Sequence, residues 1–235
     1  MEKKIYWGVA LLSVLIWIGS VFWAQKPVSP SDFPWHIEHP TADTVRVFDL
    51  TLGKNTPADA EQRFGDEAQP SLFKAPDGRF IMEMYFEELH LAGLKSKIVL
   101  TVGIPDSEIQ GIYERGERMA STGGNKRITL ASQDVMKVRE MPIVGITYMP
   151  GVRVGSDILL RRFGQPTQRI KENKTGVEHW LYPQNGLDLA LGQGAERAVL
   201  QYVQPQAFAK LVEPLLAKGQ IVSGPVVPAS GIPAL

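Results

Sequence analysis

The sequence predicts an α+β protein: an N-terminal transmembrane helix followed by two tandem β-α-β-β-β-α modules with antiparallel sheets. Three observations lead there. An uncharged apolar run occupies Ile5 to Ala24; the triplet Arg63-Phe64-Gly65 recurs as Arg162-Phe163-Gly164, 99 positions on; and stretches of period-two alternation, each bounded by turn residues, follow both copies. The boundaries that follow are 1–24 for the anchor, 25–43 for a Pro-rich stalk, 44–122 for the first module, 123–142 for a linker, 143–218 for the second module and 219–235 for a Pro-rich mobile tail.

The chain has 235 residues, 44% hydrophobic and 21% charged, enough for one large domain or two small ones. Lys+Arg and Asp+Glu are 25 each. That balance, with no concentrated basic stripe, argues against nucleic acid, because phosphate neutralisation supplies most of such affinity. There is no cysteine, which excludes disulfides, thiolate metal sites, cysteine catalysis and a lipidated N-terminal cysteine.

Residues 5–24 match in length a bilayer core of roughly 30 Å. Tyr6, Trp7 and Trp23 fall at headgroup level. The run exceeds the usual hydrophobic region of a cleaved signal peptide, and the best cleavage site would place Phe22 at minus three, so an uncleaved anchor is favoured. Lys3 and Lys4 before the span, against Lys26 after it, give a small positive-inside bias that predicts a cytoplasmic N-terminus, which in a bacterium puts the remainder in the periplasm, on the inner membrane. Pro27, Pro30, Pro34 and Pro40 suit a semi-rigid stalk. His36 and His39 lie in it without the helical context or HExxH order that would make them metal ligands, so they are expected to be solvated stalk residues.

In the first module, Thr44 to Leu52 alternates as a half-buried strand. Thr56 caps a short helix with Pro57 at its first position and Gly65 at its stop. Strands are expected at Phe80–Glu88, Leu89–Leu94 and Lys97–Ile104, then a helix opened by Pro105. The linker holds a short strand at Arg127–Leu130 and a short helix at Ser132–Arg139. The second module repeats the order. A strand at Ile143–Met149 is followed by a helix capped by Ser156, strands at Val177–Tyr182, Leu187–Leu191 and Ala198–Val203, and a helix from Pro205 to Lys218 that Pro214 can kink. Leu89-His-Leu-Ala92 corresponds to Leu187-Asp-Leu-Ala190 in this alignment, and the Lys97 strand to the Ala198 strand.

A Gly-rich turn, an amphipathic helix with a Phe-Gly-x-Pro stop and an aromatic strand resemble the SmpA/OmlA (BamE-like) envelope module. The residues that carry this are Gly151, Val154-Gly155, Phe163-Gly164-Gln165-Pro166 and Trp180-Leu181-Tyr182. The tandem arrangement is similar to the doubled unit of β-lactamase inhibitory protein. Members of the SmpA/OmlA family are typically outer-membrane lipoproteins, whereas this chain has no cysteine and an expected anchor helix in its place. The resemblance implies a noncatalytic, protein-binding module of the cell envelope.

Catalytic and cofactor patterns are missing from the sequence. No GxxxxGK[ST] loop and no GxSxG elbow occurs. Glu87 and Glu88 are adjacent on an expected strand and point to opposite faces, so they cannot form a dyad. His90 and His179 fall in different copies and are expected to be structural. No catalytic residue, metal or cofactor is predicted. The candidate binding residues are Arg161, Arg162, Trp180 and Tyr182, since Arg, Trp and Tyr dominate interface hot spots; the competing expectations are Trp180 in the core and arginines that serve the helix dipole. An adaptor or assembly factor that binds another envelope protein is the first expectation, a lipid or small-ligand binder the second, an enzyme the third.

Overall fold

The computed structural model describes residues 28–122, 125–192 and 197–226. Among them the protein is α+β with antiparallel sheets. The expected span at residues 5–24 lies outside the described residues, and no described helix is long and apolar enough to cross a membrane.

Among the described residues one helix forms where capping and burial agree; the other four have no side-chain cap and are held by the residues they bury. Helix α1 (Pro57–Phe64) starts with a reciprocal capping box between Thr56 and Asp59, has Pro57 in its first turn, buries Ala60, and stops at Gly65 in the left-handed region at φ 70°. Helix α4 (Ser156–Phe163) lies 99 positions on and stops at Gly164, φ 75°. Its cap is Gly155 rather than Ser156, and no side chain caps it. Helices α2 (Asp106–Glu114), α3 (Ser132–Arg139) and α5 (Phe208–Lys218) complete the set. Pro214 sits inside α5.

The main sheet runs β14-β10-β11-β12-β13-β9-β6-β5-β4-β8-β7. Its strands are β4 (Gln69–Lys74), β5 (Phe80–Leu91), β6 (Leu94–Val102), β7 (Arg118–Thr122), β8 (Asn125–Thr129), β9 (Ile143–Pro150), β10 (Gln168–Glu172), β11 (Glu178–Tyr182), β12 (Leu187–Leu191), β13 (Val199–Val203) and β14 (Gly219–Val222). Strand β9 lies between β6 and β13, so segments from both repeats share one sheet.

Several expected elements are corrected. The strand expected over 44–52 is a hairpin of β2 (Arg46–Val47) and β3 (Leu50–Thr51), which with β1 (Ile37–Glu38) makes a separate small sheet. Phe48 and Asp49 form its turn at φ 56° and 66°, a conformation non-glycine residues rarely adopt. Phe48 is nonetheless fully buried against Tyr148 and Tyr202. The expected pair 80–88 and 89–94 is one strand, β5, interrupted by a bulge between Phe86 and Leu89. The bulge flips parity, so Met82, Met84 and Phe86 point inward before it and Leu89 and Leu91 after it. The chain reverses only at Ala92-Gly93, both with positive φ. Leu89–Ala92 therefore ends a strand, whereas Leu187–Ala190 begins one, and the two are not equivalent. Strands β1, β4, β7, β10 and β14 were not expected; the helix opened by Pro105, expected to run to Met119, ends at Glu114, and β7 begins at Arg118.

One core lies on one face of the sheet, gathering Ala60, Ile112, Val138 and Leu159 from α1 to α4 with Phe48 and Leu50 of the small sheet. Helix α5 covers the other face over β10 and β11, where Phe208 and Val212 meet Ile170 and Leu181. The expected mobile tail begins instead as β14 on the edge of β10, and Val226 is buried with its N–H donating to Gln165 Oε1 at 3.0 Å. Residues 227–235 of that tail lie outside the described residues.

Part of the expected stalk also lies on the domain. Arg63 donates to Asp32 at 2.7 Å and Asp49 at 2.9 Å, and the Ser31 hydroxyl donates to Asp49 at 2.6 Å. Burial opposes charge on Asp49, but Ser31, Arg46 and Arg63 together hold its carboxyl below the usual range. Farther along, the buried Tyr202 hydroxyl donates to the Pro34 carbonyl at 2.7 Å. Tyr202→Phe should therefore leave a buried carbonyl unpaired and lower stability by about 1–2 kcal/mol. A denaturant melt reads the loss, and faster proteolysis within residues 28–36 locates it.

Candidate binding groove

The sequence-predicted quartet is divided by the structure. Trp180 is 2% exposed and Tyr182 6%, both on the face of β11 that α4 covers. The indole N–H of Trp180 donates to Glu178 Oε1 at 2.9 Å. The Tyr182 hydroxyl donates to the Gly164 carbonyl at 2.9 Å, tying the end of α4 to the sheet, and burial pushes its pKa up to about 12. Arg161 points to solvent and pairs with Asp157 one turn back at 2.7 Å. Arg162 reaches another part of the fold, its guanidinium 4.8 Å from the Trp35 ring centre. The two aromatics belong to the core, and only the arginines remain accessible.

What Arg162 reaches is the rim of an apolar pocket of about 210 Å³. Tyr148 and Pro150 of β9 and Leu200 of β13 line it from the sheet, Leu91 and Leu94 from the β5–β6 turn, and Ile158 and Leu159 from α4. Phe33, Pro34 and Trp35 close it from the N-terminal side, the two rings stacked 5.0 Å apart. Local sequence explains each wall. Gly151 lets the loop before α4 press on the β5–β6 hairpin: its N–H donates to the Lys95 carbonyl at 2.6 Å, and a Cβ there would stand 2.3 Å from that oxygen. The segment 33–35 is held by the Tyr202 hydrogen bond and, just before it, by the Arg63–Asp32 ion pair.

Around the mouth, Leu94, Val152 and Ile158 are 42%, 43% and 39% exposed. Ionisable groups lining the pocket are Asp32, already tied to Arg63, the exposed Arg153, and the Tyr148 phenol, whose pKa burial raises. This arrangement can take up an apolar group and offer cations beside it; it places no base next to a nucleophile. None of Phe33, Trp35, Leu94, Val152 or Ile158 was expected from the sequence as a binding residue. The available signal was Phe33-Pro34-Trp35, two large aromatics in a stretch otherwise suited to solvent.

Buried polar chemistry outside the groove centres on His179, under α5. Its Nδ1 is 2.9 Å from Asp188 Oδ2, and its Nε2 has no hydrogen-bond partner, with Glu172 Oε1 3.8 Å away. Burial disfavours the imidazolium, but the Asp188 hydrogen bond and the charges of Asp188 and Glu172 outweigh it, leaving the pKa above 6.5. A raised folded-state value means that this contribution to stability is complete below pH 6.5 and is lost as pH rises through the folded pKa. The stability difference between the wild type and His179→Gln should therefore shrink steadily above pH 6.5. Urea melts at stepped pH check it; a difference independent of pH would show that the charged form contributes nothing. The stalk histidines have neighbours of their own, His36 with Glu38 and His39 with Asn185, and among the described residues no group of three His, Asp or Glu side chains is placed to hold a metal.

No protein family, curated protein or solved structure matches the chain.

Proposed function

We propose that the protein is a noncatalytic binding module of the bacterial cell envelope, held at the inner membrane by residues 5–24 with the remainder in the periplasm, and that it serves as an adaptor or assembly factor for another envelope protein. In this reading the two repeats are tandem modules that build one binding surface. The observation that carries it is the apolar groove beside α4 with its collar of exposed Leu94, Val152 and Ile158. The resemblance to the SmpA/OmlA module, whose helix and aromatic strand correspond to α4 and β11, supports it. A second reading, uptake of a lipid or small ligand, is favoured by the same pocket, which lies between helix and sheet as a ligand cavity would.

Photocrosslinkers at Val152 and Ile158, in cells, test the choice, with Met136 on the exposed side of α3 as control. A discrete protein adduct at the two groove positions and not at Met136 is the expected result. Lipid adducts alone would replace the adaptor reading with the second one.

A further inference from the structure

We infer that the groove takes an acidic protein segment and seats one bulky apolar side chain of it in the pocket. This rests on the protein-binding reading above. Size is the first argument. A cavity of about 210 Å³ is smaller than the roughly 300–1,000 Å³ of pockets that enclose whole small-molecule ligands, and it suits a single anchoring side chain. The collar is the second. Leu94, Val152 and Ile158 come from three different places and remain exposed around the mouth, so apolar neighbours of the anchor find partners as well.

Charge is the third argument, and it selects the partner. The chain as a whole is neutral, yet the mouth is not. Asp32 is paired with Arg63, Asp157 with Arg161 and Glu88 with Lys95. Arg153 and Arg162 stand exposed at the rim, and among the described residues neither has a carboxylate within ion-pair distance. Two guanidinium groups beside an apolar seat match carboxylates flanking an apolar anchor, and they repel a basic segment. Stacking on Trp35 holds Arg162 in place, so little freedom remains to be lost when a carboxylate binds it.

The test uses the full chain in phosphatidylcholine nanodiscs and fluorescein-labelled synthetic peptides. One peptide carries a Phe flanked by Glu residues, a second the same Phe flanked by Lys, and a third the Glu frame with Ala for Phe; laurate is titrated in parallel. The Glu–Phe peptide should bind at least about tenfold more tightly than either control. Arg153→Glu with Arg162→Glu should reverse the order of the Glu and Lys peptides, a gain that a merely misfolded variant cannot produce. Equal binding of the Glu and Lys peptides would overturn the acidic partner while leaving protein binding in place. Saturable laurate binding with no peptide bound would overturn both, whereas a charge-reversed variant that keeps the original preference would overturn the selection of the partner by Arg153 and Arg162.

Discussion

Trp180→Ala is expected to lower the unfolding free energy by about 3–5 kcal/mol, within the range for deleting a large buried aromatic. The indole fills the space between β11 and α4, opposite the fully buried Leu189 of β12. Its N–H is bound to Glu178, which also receives Arg169 at 2.9 Å. Truncation removes the packing, leaves a cavity that a sheet position cannot close, and strips Glu178 of one of its two donors. Urea unfolding should show a lower midpoint with an unchanged slope. Tyr182→Phe, which loses only the hydrogen bond to Gly164, should cost about 1 kcal/mol. Were Trp180 a contact residue for a partner rather than a core residue, its alanine variant would stay within about 0.5 kcal/mol of the parent.

Gly186→Ala is expected to cost about 3 kcal/mol or more, from two separate causes. Gly186 has φ 56°, the left-handed region that β-carbons resist, and a Cβ built there lies 1.9 Å from the Val203 carbonyl oxygen. That oxygen belongs to backbone already fixed, because the Val203 N–H donates to the Gly186 carbonyl at 2.9 Å. Nothing can move without breaking the β11–β12 turn away from β13. Gly78→Ala supplies the comparison: its φ is 89°, but no atom lies within 4 Å of the added carbon. That variant should lose only the conformational part, about 1–2 kcal/mol. Parallel thermal or urea melts separate the two, and equal losses would show that the clash relaxes for free.

Much of the architecture was legible wherever a local rule and the tertiary environment agree. Thr56, Pro57, Asp59 and Gly65 announce α1 by cap chemistry alone, and alternation announces β6 and β9. Strands β4 and β10, QPSLFK and QRIKE, escaped because their composition is mostly polar and their pairing partners decide them. The bulge in β5 reads as an interruption in the pattern, and a parity flip without turn residues is easily taken for a strand end. The hairpin at Phe48-Asp49 was hard to read, since Asp49 tolerates a left-handed turn but Phe48 argues against one; the Asp49 ion pairs and the burial of Phe48 impose it. At the site, Trp180 and Tyr182 share a strand face by spacing, but which face α4 covers is a tertiary fact. Phe33-Pro34-Trp35 was hidden by its proline-rich surroundings.

The position of β9 sets an order of events in time. Strand β6 is complete once Val102 has been made, yet its neighbour on one side, Ile143–Pro150, comes some forty residues later. Until then the growing chain presents a long, β-branched, hydrophobic edge with unpaired peptide groups, the kind of surface that captures other chains. Strand β9 in turn awaits Val199–Val203 before its own far side is closed. Assembly is therefore slow by its connectivity, because the central ladder forms only from distant parts of the chain. A nascent copy stays open to such capture until residue 203 has emerged.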